Sequence, residues 1–209
     1  PLEEGCRVAV FGRNQLHYYR CGIGSGGMVN SAYVVSILDA LKADSDIVLN
    51  QAVLSAYEAW HEAHPLEGCN EWGEEPWSQA EMPLPEALVQ QAAKTSDAAL
   101  ICIGRTAGED HDSSAAPGSF LLTEEEERTI RLVCRYFPRS IVVLNTAGII
   151  DMTWVKRCNP AAILYVWHGG QEGGNGAADV LTGRVNPCGK LPDTIAEQLS
   201  DYPANANFG

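Results

Sequence analysis

Hydrophobic positions along this chain fall into short unbroken runs, and stretches with a period near 3.6 residues separate them. The runs are "RVAVFG" (7–12), "DIVL" (46–49), "AALICIG" (98–104), "SIVVLN" (140–145) and "AAILYVW" (161–167). Continuous apolar runs of this length predict strands buried on both faces, as in a parallel sheet. Between them the pattern predicts helices. In "NSAYVVSILDALKA", Val34, Ile37, Leu38 and Leu41 recur at i, i+3, i+4 and i+7, with Ser31 as the expected N-cap. "SAYEAWHEA" (55–63), "EALVQQAAK" (86–94), "DMTWVKRC" (151–158) and "GNGAADVLTG" (174–183) read as further helices. "TEEEERTIRLVCRYF" opens with a capping box from Thr123 to Glu126 and turns Ile130, Val133, Cys134 and Phe137 inward. Such alternation predicts an α/β sandwich: a parallel-dominated sheet of five or six strands, with helices on both faces, in one domain over 1–209.

One segment has no period. Residues 65–85, "PLEGCNEWGEEPWSQAEMPLP", lie within a stretch, Glu58 to Glu86, that holds eight Glu and no Lys or Arg. It reads as a solvated acidic insertion, with Trp72 and Trp77 a weaker sign of a contact surface. Charge narrows the partners. A net charge of −13 disfavours nucleic acid and anionic membrane, and no apolar run approaches the ~18 residues of a membrane helix. Neutral ligands such as sugars remain. The seven cysteines are odd in number and form no C-x-x-C, so reduced thiols are expected rather than a disulfide framework or zinc site. Those thiols give a cytoplasmic expectation. His61 and His64 lack an H-E-x-x-H frame and read as surface residues. Neither a metal nor a cofactor is expected. Beginning at Pro1, the chain reads as a piece of a longer protein.

In open parallel sheets, ligands bind beyond the carboxyl ends of the strands. Four such ends are legible, "FGRNQ", "GRTAGEDHD", "NTAG" and "WHGGQEGG", placing Arg13, Glu109, Asn145, His168 and Glu172 along one edge. Gly22, Gly24 and Gly27 match G-x-G-x-x-G, but residues 13–21 separate them from the glycine that ends the strand. A dinucleotide turn needs its first glycine directly after the strand, so a plain glycine loop is the better reading. No G-x-S-x-G supports a nucleophilic serine. Glu109 therefore stands out, on a stretch (104–120) expected to be an exposed, mobile loop. The neighbouring Asp110 and Asp112 favour a proton among these carboxyls and Arg105 opposes it, so the residues leave the sign open.

The segments "GIGSGG", "R-x-x-G-E-x-x-D" (105–112), "W-x-G-G-Q-E-G-G" (167–174) and "A-D-V-L-x-G-x-x-N-P-x-G-K-L-P-x-T" (178–194), in this order, resemble the C-terminal α/β sandwich domain of glycoside hydrolase family 3, the β-glucosidase-type enzymes. The resemblance covers nearly the whole chain. It implies a retaining β-glycosidase whose N-terminal barrel, on the same polypeptide, carries an Asp nucleophile, with this domain lending the acid/base loop. By position Glu109 matches the acid/base, Ser25 matches a sugar-touching loop, and Arg105 and Asp112 match polar residues that border the substrate. Glu172 is the second choice for the acid. Where that family often continues the loop with Arg, this chain has Ser113. The implied partners are a saccharide with a terminal β-linked sugar and the barrel. The alternative is a non-catalytic α/β module that binds carbohydrate or nucleotide.

Overall fold

The computed structural model describes residues 1–27, 29–69, 73–109 and 111–206. Five strands, β1 (Cys6–Phe11), β2 (Ile47–Leu49), β3 (Ala98–Arg105), β4 (Ser140–Thr146) and β5 (Ala162–Tyr165), form one sheet in the order β2-β1-β3-β4-β5. Every pairing is parallel. Of the five or six strands expected, five form among the described residues.

The central strand explains the apolar runs. All eight residues of β3 are buried, and successive side chains point to opposite faces. Ala99, Ile101 and Ile103 join one core, whereas Ala98, Leu100 and Cys102 join the other. The first core is covered by α2 (Gln51–Ala63), α3 (Glu86–Thr95), α4 (Glu124–Tyr136) and α5 (Trp154–Cys158). On the opposite face lie α1 (Ile37–Ala43) and α6 (Gly173–Thr182). Each Val, Leu or Ile so buried contributes about 1.5–3 kcal/mol, which is why neither face tolerates a polar alternation.

Helix starts differ from expectation where tertiary bonds, side-chain caps or local turns decide them. The first helix caps at Ser36 rather than Ser31: Ser36 Oγ accepts from Asp39 N at 3.0 Å, and Asp39 Oδ2 accepts from Ser36 N at 3.1 Å. Val35 is instead drawn against the start of α6, donating to Gln171 O at 2.9 Å and accepting from Gly174 N at 3.1 Å. The second helix begins a turn earlier than expected because Asn50 Oδ1 accepts from Val53 N at 3.2 Å. The fifth is shorter than expected, since Asp151 binds Thr153 Oγ1 at 2.6 Å in a local turn ahead of Trp154. The fourth opens with the capping box read from Thr123 and Glu126.

The acidic insertion is solvated only in part. Glu75 is buried, and Met82 and Leu84 enter the core. Glu81 keeps part of its surface in solvent, but its carboxyl group is enclosed and accepts from Arg13 N and Met82 N, both at 2.8 Å. Trp72 lies outside the described residues. The seven cysteines are free thiols. Among the described residues no helix is long and apolar enough to cross a membrane.

Candidate active site

The strand order reverses at β1, which has β2 on one side and β3 on the other. Chains leaving β1 and β3 therefore diverge and open a crevice at their carboxyl ends. Here the protein fills that crevice with its own residues. After β1 a single 3-10 turn (Arg13–Gln15) folds back, burying Asn14 and Gln15, with Tyr19 buried beyond it. Gln15 Nε2 donates to Val10 O at 2.8 Å. Asn145, at the end of β4, accepts from Tyr19 N at 2.8 Å and donates to Tyr19 O at 2.9 Å and Trp167 O at 2.6 Å.

That filling carries the glycine loop across to the end of β3. Ile23 N donates to Ala107 O at 2.6 Å, and Ile23 pairs with Gly108 in a parallel bridge. The contact requires bare backbone. A Cβ on Gly22 would lie 2.3 Å from Ala107 O, and one on Gly108 would lie 2.2 Å from Ile23 Cγ1. Gly24 has φ +86°, in the left-handed region. The near-match to a dinucleotide motif is thus a loop-to-loop seam.

The loop after β3 has a root and a tip. At the root, Arg105 is 2% exposed. All five of its N–H groups are used: Nε to Ser119 O (2.8 Å), Nη1 to Gly104 O (2.7 Å) and Glu126 Oε1 (2.6 Å), Nη2 to Leu121 O (3.1 Å) and Glu126 Oε2 (2.7 Å). Arg105, expected as a substrate contact, thus has no N–H donor left over for a further partner in this structure. At the tip, Glu109 is exposed, and its Oε2 accepts from Ser25 Oγ at 2.8 Å and, more weakly, from Ser25 N at 3.4 Å. Ser25 and Asp112 are also exposed; Asp110 lies outside the described residues. The stretch 104–120 is not exposed throughout: Gly104–Thr106 and 118–120 are buried, and solvent reaches Glu109, 112–115 and 117. The insertion supports its flank, since Trp77 O accepts from Thr106 N at 2.9 Å and the Trp77 ring meets His111 edge-on at 5.0 Å.

The remaining edge residues do other work. His168 Nε2 donates to Arg105 O at 2.9 Å, and burial lowers its pKa, so the ring is held neutral as a brace between strand ends. Arg13 is buried, reaching Ala80 O at 3.0 Å and His64 O, with its guanidinium 4.8 Å over the Trp60 ring. Glu172 is exposed, but both its oxygens are engaged, by Tyr33 Oη at 2.5 Å and Asn175 Nδ2 at 2.6 Å. Of the five, only Glu109 joins the seam with the glycine loop.

Sequence reading missed a second cluster. His17, Cys69 and Glu75 bring one potential ligand atom each within 4.8 Å of one another. His17 Nε2 lies 2.6 Å from Glu75 Oε1 and 4.0 Å from Cys69 Sγ. The histidine is 52 residues from the cysteine and 58 from the glutamate, so no local spacing announces them.

Comparison with known proteins fits this architecture. The model of the glycosyl hydrolase family 3 C-terminal domain matches residues 1–208. A β-glucosidase of Ruminococcus albus is 49% identical over 208 residues, covering 100% of this chain and 22% of that protein. β-Glucosidase A of Butyrivibrio fibrisolvens is 33% identical over 232 residues, covering 100% of the chain and 27% of that protein. Among solved structures, a β-glucosidase from Paenibacillus barengoltzii superposes with a TM-score of 0.94 at 46% identity, over 98% of this chain and 22% of its own. β-Glucosidase 3B of Thermotoga neapolitana, solved in complex with glucose, gives 0.84 at 33% identity, over 98% of this chain and 29% of its own. This chain thus spans between a fifth and a third of the length of these relatives. By sequence and by fold, it belongs to the glycosyl hydrolase family 3 C-terminal domain family.

Proposed function

We propose that this chain is the C-terminal sandwich of a retaining β-glycosidase of the β-glucosidase type, and that Glu109 is its general acid and base. The observation that carries the reading is the seam between two strand-end loops. It presents one exposed carboxylate, held by Ser25 Oγ at 2.8 Å, above a root locked by Arg105 and Glu126.

Retaining hydrolysis needs two carboxyls about 5–5.5 Å apart, one nucleophile and one proton donor. In this reading the nucleophile is an Asp on a barrel of the same polypeptide, and a terminal β-linked sugar sits between the two domains. Glu109 gives its proton to the glycosidic oxygen as the C–O bond breaks. It then takes a proton from the water that releases the sugar from the barrel carboxylate. Ser25 and Asp112 border the sugar, and Arg105 acts as a positioning residue through the loop root. The glucose complex of the Thermotoga enzyme supports a β-glucoside as the substrate class.

The test is Glu109→Gln in the polypeptide that joins this chain to its barrel. Rates on substrates with poor leaving groups should fall ~10² to 10⁴-fold, because the departing oxygen loses its proton source. Good leaving groups should still depart, after which the glycosyl-enzyme accumulates for want of a base. An equal loss across all leaving groups overturns the assignment, and the same dependence in Glu172→Gln would transfer it there. Wild-type rates would favour a non-catalytic module.

A further inference from the structure

The cluster of His17, Cys69 and Glu75 lies outside the seam and has no part in the proposed reaction. We infer that it is a zinc-binding site, with the His17 imidazole, Cys69 thiolate and Glu75 carboxylate as three ligands and a solvent molecule as the fourth. Three donors of three kinds converge from two elements. His17 comes from the turn after β1, whereas Cys69 and Glu75 come from the acidic insertion. A tetrahedral zinc ion with bonds of about 2.0–2.3 Å places neighbouring ligand atoms roughly 3.3–3.6 Å apart. The observed 2.6 Å between His17 Nε2 and Glu75 Oε1, and 4.0 Å between His17 Nε2 and Cys69 Sγ, bracket that range. Those two pairs must move by less than about 1 Å, and Cys69 Sγ and Glu75 lie within 4.8 Å of each other.

The surroundings hold the ligands in place. Tyr19 meets the His17 ring edge-on at 4.7 Å, and Asn14 Nδ2 donates to His17 O at 2.6 Å. Gln79 clips the insertion closed, accepting from Glu67 N at 2.9 Å and donating to Glu67 O at 2.8 Å, with its Nε2 also 3.5 Å from both Cys69 Sγ and Glu75 Oε1. Such outer contacts orient ligands and tune them. Glu75 is buried, whereas Cys69 is open to solvent and gives an ion its way in. Nitrogen and sulfur donors select zinc over the harder magnesium and calcium. On binding, the Cys69 S–H bond gives way to an S–Zn bond, and its proton leaves to solvent. The ion would fasten the insertion to the turn after β1, two residues ahead of Trp77, which supports the loop carrying Glu109.

The experiment titrates the chelator-treated chain with zinc chloride, and in parallel with magnesium chloride, while following thermal unfolding. Zinc at a hundredfold excess over its Kd should raise the Tm by roughly 5–10 °C, and magnesium should not. Cys69→Ser and His17→Asn should abolish the shift, and Cys188→Ser, which changes another accessible thiol, should keep it. Should the variants misfold, alkylation of the wild-type thiols followed by mass spectrometry gives an independent reading: zinc shields Cys69, and chelator exposes it again. No Tm shift with unchanged Cys69 alkylation overturns the site, leaving a histidine–glutamate pair beside a thiol. A shift that survives Cys69→Ser and disappears in Cys188→Ser overturns it equally.

Discussion

Arg105 and Glu109 lie four residues apart on one loop, yet their surroundings are opposite. The guanidinium is enclosed with every donor matched, and the carboxylate stands in solvent on contacts to a single serine. A resemblance carried over by position assigned both to the substrate side. Their burial sets the two side chains apart. Fixing a loop demands desolvated, saturated hydrogen bonds, whereas delivering a proton to a second body demands an exposed group on a short tether. Root and tip should therefore fail in different ways when altered.

The largest effect should come from the root. Arg105→Ala leaves the Glu126 carboxylate buried without its cation, along with the carbonyls of Ser119 and Leu121. Breaking one side of a buried pair costs about 3–5 kcal/mol, read as a lowered urea midpoint. Replacing both partners, Arg105→Met with Glu126→Leu, should recover part of that loss, because no lone charge remains. A cost for Arg105→Ala below about 1 kcal/mol would erase the distinction between root and tip.

Next in size is a pH effect from the same region. Arg105 serves Glu126, while Glu81 lines the same small cavity without a cation on its carboxyl oxygens. Burial pushes the Glu81 carboxyl from 4.5 up to about 7, against the opposing N–H bonds from Arg13 and Met82, and Glu126 adds to the rise. Between those two values the folded chain keeps a proton that the unfolded chain releases. Stability through this group is therefore fully present below about pH 4.5 and falls as pH rises toward 7, by up to about 3 kcal/mol. Glu81→Gln should flatten that part of the stability profile. Unfolding free energies measured from pH 4 to 8 in both chains check the slope, and a wild-type slope of the opposite sign, or one unchanged in the variant, would overturn it.

Most of the fold was legible because it is written in local pattern. Continuous apolar runs announced the five strands, and the box at Thr123 and Glu126 announced α4. The site was legible only in part. Glu109 could be singled out because a charged cluster directly follows the most apolar strand. What stayed hidden was long-range. The setting of Arg105 depends on Glu126, 21 residues away, and the hold on Glu109 depends on Ser25, 84 residues from it. Acid-rich composition suggested a solvated insertion, but burial of Glu75 and Glu81 depends on His17 and the backbone of Arg13, which no spacing reveals. Ser31 and Ser36 are equivalent caps by residue type; the tertiary bonds of Val35 decide between them.

The seam between the loops supplies a smaller effect that sharpens the contrast. Gly22→Ala places a methyl group 2.3 Å from Ala107 O, which is backbone and cannot swing aside. The loops must part, at about 1–3 kcal/mol. Because the root stays intact, far-UV circular dichroism should be unchanged. On the proposed reading, hydrolysis by a polypeptide that joins this chain to a barrel should fall, since Glu109 would lose its alignment. Loss of the whole fold instead would show that the seam belongs to the core rather than to the tip.

The smallest effect on stability belongs to Ser25→Ala, and it is the most informative about the tip. An exposed hydroxyl-to-carboxylate bond of 2.8 Å contributes at most about 1 kcal/mol to folding, so the melting temperature should barely move. Catalysis is where the serine's role divides. If its hydroxyl orients Glu109, removing it leaves substrate binding intact and weakens an interaction that matters when the proton moves. Then kcat and kcat/KM should fall together, by roughly 10-fold, with the largest losses on poor leaving groups. If the hydroxyl instead holds the sugar equally in the ground and transition states, KM should rise with kcat unchanged, on every leaving group alike. The 2.8 Å bond to Glu109 Oε2 favours the first outcome, and Ser25→Thr, which keeps a hydroxyl, should restore most of kcat. A pure KM effect would leave Ser25 a sugar contact only, with Glu109 aligned by the backbone seam of Ile23 and Ala107 alone.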